Sequence, residues 1–160
     1  MERNANKISP AEPIFWIIFT IVTTVILLGF PEFFGWRFEG QRVSVFDVYA
    51  LRGIWLLIVS WAVLEIGTEL FKIIEGRYTN RLMIVVVASC AIQMIFVGII
   101  FGTTNIINPN FAYEIEHLNL GGWQTWFMRP DIALMLVFMG ILIWEIVEVC
   151  VKTAGFVKAE

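Results

Sequence analysis

"WAVLEIGTELFKIIEGRYTNR", residues 61–81, decides how this chain is read. It starts as an apolar helix, carries Glu65, Glu69 and Lys72 inside the apolar run, and breaks at Gly76 into a short polar turn. Glu65, Thr68, Glu69 and Lys72 recur at helical spacing and so share one face. A lone charge at the centre of a bilayer costs ~2.5–3.5 kcal/mol on insertion scales, so such residues turn inward, pair, or stay protonated. Gly76 is placed to end the helix in a left-handed conformation. Thr79 or Asn80 is placed to cap the next helix. Arg77 and Arg81, with Tyr78, suit a headgroup level. The stretch predicts two antiparallel membrane helices, a tight turn, and ionisable groups held between helices.

The rest of the chain agrees. Of its 160 residues 59% are hydrophobic and only 16% charged, with a mean hydropathy of +0.79, which excludes an ordinary soluble domain. A span needs ~20 apolar residues. Four segments qualify, at about 13–30, 51–74, 82–102 and 132–154. The expectation is an all-α polytopic membrane protein: one membrane domain over 1–160, a four-transmembrane-helix bundle with structured extracytoplasmic loops at 31–50 and 103–131. The first segment reads as a retained span, because its apolar run is long and no small-x-small cleavage site follows. "SPAEP", 9–13, reads as its helix start, with Ser9 as cap.

Lys and Arg near the span ends set the orientation. Arg3, Lys7, Lys72, Arg77, Arg81, Lys152 and Lys158 stand on one side, and Arg37, Arg42, Arg52 and Arg129 on the other. Both termini and the 75–81 turn are therefore expected in the cytoplasm. Of the outer segments, "RFEGQRVSV", 37–45, alternates around Glu39-Gly40 like a hairpin. Residues 110–118 place Phe111, Ile115 and Leu118 at helical spacing, which predicts a short interfacial helix. Gly121-Gly122 would end it. Trp36, Trp123, Trp126 and Phe127 would sit at headgroup depth, either as a belt or as a cap over the bundle.

The fourth segment repeats the pattern of the second. Glu145 and Glu148 are three apart, with Lys152 beyond them, and the Glu65–Lys72 and Glu145–Lys152 spacings are equal. Both spans run in the same direction, so Glu65 and Glu145 are expected at one depth. Gln93 and Ser89 of the third span, and the indoles of Trp61 and Trp144, are the companions expected there. Glu69 and Glu148 should lie one turn lower, paired with Lys72 and Lys152. The two stripes lie half a chain apart, a spacing that a duplicated two-helix hairpin would produce.

Cys90 and Cys150 lie in apolar stretches and read as packing residues. No metal, nucleotide or nucleophile motif occurs, and His117 stands alone in a loop. No catalytic constellation, metal site or cofactor is expected, and no basic cluster points to nucleic acid. Three uses of the polar layer Glu65, Thr68, Glu69, Gln93, Glu145 and Glu148 compete: recognition of a partner helix, a proton or cation site, and cross-bonding of the bundle. The leading expectation is an accessory or regulatory subunit. It would associate in the bilayer with a larger, transporter-like complex or with itself. The alternative is a small proton- or cation-coupled carrier.

"LFKIIEGRYTNRL" (70–82), "FPEFFGW" (30–36), "VSVFD" (43–47) and "NPNF" (108–111) resemble the four-helix membrane region of bacterial permease-prefix (HAAS-type) domain proteins. The resemblance implies an accessory protein of the bacterial cytoplasmic membrane and names no reaction. Where that family carries a soluble helical domain, about twelve residues precede the first span here.

Overall fold

The computed structural model describes residues 7–38, 40–103, 105–117 and 130–157. The chain is mostly helical. It runs α1 (Ala11–Gly29), a 3-10 turn (Pro31–Phe34), β1 (Gly35–Phe38), β2 (Gln41–Ser44), α2 (Val48–Gly53), α3 (Trp55–Glu75), α4 (Asn80–Thr103), α5 (Pro109–His117) and α6 (Pro130–Val157). Three helices are long and apolar enough to cross a membrane, over Ala11–Gly29, Asn80–Gly102 and Asp131–Gly155. α3 is 21 residues long, which at 1.5 Å per residue is about 30 Å. It falls outside that group through its charges, Glu65, Glu69 and Lys72, and not through its length.

α1 packs on α3, α3 on α4, and α4 on α6. α4 is central because its buried side chains, Leu82, Val86, Cys90, Gln93, Val97 and Ile100, form one continuous stripe along the helix. α1 is peripheral. Only Pro13 is buried on it, while Phe15, Trp16, Ile18, Phe19, Val22 and Val25 are exposed. A continuous apolar face of that kind is untenable in water and ordinary in lipid, where the outside of a bundle needs no polar coat.

Hydrogen bonds define the two ends. Ile8 N–H donates to the Gly76 carbonyl at 3.0 Å, and Lys152 Nζ donates to the Tyr78 hydroxyl at 3.0 Å. The start of α1, the α3–α4 turn and the end of α6 thus share one end, the turn end. At the opposite end, the loop end, Asp47 N–H donates to Ile106 O at 2.8 Å and Asn108 N–H to Val45 O at 2.9 Å. These bonds stitch the hairpin to the entry of α5.

The turn is built as its residues require. Gly76 ends α3 at φ 63°, in the left-handed region that glycine occupies without a Cβ penalty. Thr79 Oγ1 accepts from Leu82 N–H at 3.2 Å and caps α4. At the loop end, β1 and β2 pair antiparallel, with Gly35 opposite Ser44 and Phe38 opposite Gln41, and Gly40 at φ 85° turns the chain. Gly35 is constrained by space: a Cβ there would lie 2.7 Å from the Val43 carbonyl oxygen and 2.9 Å from that of Glu32.

Three expectations change. The second apolar segment, expected from residue 51, is interrupted. Leu51 belongs to α2, which Asp47 caps through Tyr49 N–H at 2.7 Å and Ala50 N–H at 3.0 Å. The chain then bends at Ile54 (φ −112°, ψ 13°) before α3 begins. Gly53 weakens helix continuity there by about 1 kcal/mol relative to Ala, and a one-residue bend leaves no mark on apolar periodicity. Secondly, no side chain caps α1. Pro10 already has helical dihedrals, so Ser9 stands one residue too early. Thirdly, the short helix expected over 110–118 runs over Pro109–His117, with Phe111 half-buried on it. The Ile115 side chain is not described, and Leu118, Gly121-Gly122, Trp123, Trp126 and Phe127 lie outside the described residues, as do Arg3, Arg129 and Lys158. Trp36 is 68% exposed on β1, in company with exposed Phe30, Phe33, Tyr49 and Trp55 at the same end.

Candidate functional site

The polar residues of α3, α4 and α6 meet on the inner faces of these helices. Gln93 on α4 is the hub of the upper part. An indole N–H can only donate, so the Gln93 carbonyl faces Trp61, which donates from Nε1 at 2.6 Å. The Gln93 amide nitrogen then faces Glu65, donating to Oε2 at 2.8 Å, and also reaches Ser89 Oγ at 3.2 Å. Ser89 Oγ lies 2.7 Å from Thr68 Oγ1, which lies 2.9 Å from the Leu64 carbonyl. The donor count closes when Thr68 gives its proton to Leu64 O and Ser89 gives its own to Thr68. Ser89, Gln93, Thr68 and Glu69 are all buried.

One turn toward the turn end, Lys72 bridges two helices. Its ammonium donates to Glu69 Oε1 at 2.6 Å on its own helix and to Glu145 Oε1 at 2.7 Å on α6. These are charge-assisted bonds of the short, strong kind. The side chains of Glu69, Lys72 and Glu145 are 3%, 18% and 22% exposed, so the triad is largely desolvated. The Cys90 thiol donates to the other Glu145 oxygen, Oε2, at 3.7 Å. Lower still, Lys152 pairs with Glu148 and donates to Tyr78 Oη; this pair is more open to the surroundings.

Three rings pack together on the loop side of the layer. Trp61 meets Phe138 edge-on at 5.3 Å between centroids, and Phe138 stacks on Phe101 at 5.9 Å. The three come from α3, α6 and α4, so each helix of the site contributes one ring.

Of the residues singled out from sequence, Glu65, Thr68, Glu69, Gln93 and Glu145 are brought together with Lys72. Glu148 and Lys152 form a neighbouring pair. Arg77 and Arg81 are exposed at the turn end, while Trp36 and Phe111 lie at the loop end. Two pairings differ from expectation. Glu145 was expected to share Gln93 with Glu65, but it takes Lys72 instead. The four-carbon stem of a lysine spans a full helical turn, and an ammonium between two desolvated carboxylates gains more than one in contact with a single partner. Trp144, expected beside Glu145, is 70% exposed and points away from the layer. Cys90, read as packing, touches Glu145. Its position three residues before Gln93 places it on the polar face of α4, and that spacing was available in the sequence. Tyr78, read as a belt residue, is a ligand of Lys152.

Four carboxylates (Glu65, Glu69, Glu145, Glu148) thus face two ammonium groups (Lys72, Lys152). The carboxylates outnumber the ammonium groups by two. Among the described residues, no group of three His, Cys, Asp or Glu side chains is placed to hold a metal ion. No family model, no curated protein and no solved structure matches this chain.

Proposed function

We propose that the chain is a four-span membrane protein, with α3 as the fourth span, and that its Glu65–Gln93 and Lys72–Glu145 layer is a proton- or cation-coupled carrier site. The observation that carries this reading is the direction in which the charges point. The carboxylates are engaged with one another's partners inside a single chain, whereas a face built to recognise a partner helix would present them outward. The excess of two carboxylates supplies the exchangeable charge. The aromatic wall of Trp61, Phe138 and Phe101 blocks the layer on the loop side, as expected of a carrier site that opens to one side at a time.

The test is flux in liposomes under an imposed pH gradient. Glu65→Gln and Glu145→Gln are each expected to abolish proton-coupled flux and to leave folding intact. The amide copies the donor and acceptor of a protonated acid, and Lys72 keeps Glu69 when Glu145 is replaced. If both variants match the wild type in flux, the layer only holds helices together. An accessory-subunit reading rests on a separate observation, the exposed aromatic face of Phe15, Trp16 and Phe19 on α1. Its outcome would be a stoichiometric large partner in mild-detergent purification, with no flux by the isolated chain.

In this reading the turn end faces the cytoplasm of a bacterial cell, since Lys and Arg favour it. Lys72 no longer counts toward that bias, because it is spent inside the bundle. Arg77→Cys is expected to react with an impermeant thiol reagent only after the membrane is opened. Labelling from outside intact cells would reverse the topology.

A further inference from the structure

Below the Lys72 triad, at the turn end, lies a cavity of about 40 Å³. That is room for about two or three waters. Its polar lining comes from Glu12 on α1, Glu69 and Lys72 on α3, Tyr78 in the turn, and Glu145 and Glu148 on α6. An acidic lining alone would mean little, but one of its groups is unsatisfied. Glu69 is 2% exposed, its Oε1 is held by Lys72, and its Oε2 is buried with no hydrogen-bond partner among the described residues. A buried acceptor left without a partner costs about 1–3 kcal/mol, more when charged. A carboxylate oxygen on a polar cavity has two remedies, a water or a proton.

The chain entering α1 borders this cavity. Lys7 forms a β-bridge with Arg77, and Ile8 N–H donates to the Gly76 carbonyl at 3.0 Å. This seats residues 7–13 as a strap across the turn end. Ile8 is 6% exposed, and together with Pro13 it forms an apolar part of the cavity wall.

We propose that the cavity is a protonation site in which Glu69 Oε2 takes up and releases a proton through water held there, and that the strap Lys7–Pro13 gates its exchange with the turn-end solution. The ligand is the proton itself, delivered by water. The charged and titratable groups that face Glu69 set when it binds: Glu65 and Lys72 on α3, Glu12 on α1, Tyr78 in the turn, and Glu145 and Glu148 on α6. Lys72 holds one Glu69 oxygen in place whether or not the other carries a proton, so the site can change its charge without losing its geometry. This inference deepens the carrier reading and rests on it for the proton's destination.

The test is covalent mapping with dicyclohexylcarbodiimide, which adds to protonated carboxyl groups in apolar surroundings. The probe is applied to the full chain in liposomes over a range of pH, and the modified residue is located by mass spectrometry. Glu69 is expected to be modified, with a yield that falls as the pH rises, and Glu69→Gln is expected to lose that modification. In Ile8→Ala, which removes three carbons from the strap where it packs on the end of the core and leaves Glu69, Lys72 and Glu145 in place, the rate at Glu69 is expected to rise several-fold. A Glu69 that stays unmodified at every pH in both proteins would overturn the site. A rate unchanged in Ile8→Ala would overturn the gate. Flux absent while Glu69 is modified as described would remove the carrier reading and leave the site. Flux present while Glu69 stays unmodified would remove the site and leave the carrier.

Discussion

Replacing Lys72 with Met is expected to destabilise the protein by about 3–5 kcal/mol, the range seen when one member of a buried ion pair is removed and its partner is stranded. The stranded groups here are two. Among the described residues, Glu69, with its side chain 3% exposed, would lose the hydrogen bond from Lys72, and Glu145 would keep the weak thiol donor of Cys90. Met matches the length and flexibility of the lysine stem, so the loss is one of charge and hydrogen bonding and not of packing. Lys152→Met provides the internal comparison. Its pair with Glu148 is 40% and 34% exposed, and such pairs contribute about 0–1 kcal/mol. Lys72 leaves two largely desolvated carboxylates behind, whereas Lys152 leaves one more open carboxylate and the Tyr78 hydroxyl. Reversible unfolding in mixed detergent would measure both. Equal losses would mean that the interior of α3, α4 and α6 is wet enough to screen the triad. Adding Glu145→Gln to Lys72→Met should recover part of the loss, because one of the two stranded charges is gone.

Gln93→Leu is the second large effect. Interhelical hydrogen bonds in membranes average only ~0.6 kcal/mol, because separated helices find other partners. Gln93, however, makes three bonds at once, to Trp61, Glu65 and Ser89. Leu fills nearly the same volume and makes none. The Trp61 N–H and the Glu65 carboxyl would be left facing an apolar side chain in a fully packed position, which is 2% exposed in the wild type. A loss of about 1–3 kcal/mol is expected, the desolvation penalty of a stranded polar group. Trp61 reports the change directly, since its emission should shift to shorter wavelength once its hydrogen bond is gone. An unchanged stability and spectrum would show that Gln93 fills space and does not organise the layer.

The long apolar runs, the hairpin around Gly40 and the α3–α4 turn were legible because each is a local property. Twenty apolar residues, a glycine between two alternating stretches, or a Gly-x-x-Thr stop-and-start signal specify their structure from neighbours alone. The bend at Ile54 was not legible, because it lies inside one apolar run. Beside it, Asp47, the cap of α2, is tied through its N–H to the Ile106 carbonyl, some sixty residues away along the chain.

The same division holds for the site. Sequence by itself determined which residues are polar in apolar surroundings and which share a helix face, since helical spacing sets that without any partner. It named Glu65, Thr68, Glu69, Gln93, Glu145 and Glu148 together with their lysines. Only the tertiary structure decided who pairs with whom. Two helices that lie against α4 are free to slide by part of a turn, and a slide of that size exchanges Gln93 for Lys72 as the partner of Glu145. The rotation of α6 likewise turned Trp144 outward and brought Cys90 into contact with Glu145. The strap over the Glu69 cavity is the clearest case: residues 7–13 carry only the signal of a helix start, and their contact with the cavity arises because the α3–α4 turn stands beside them.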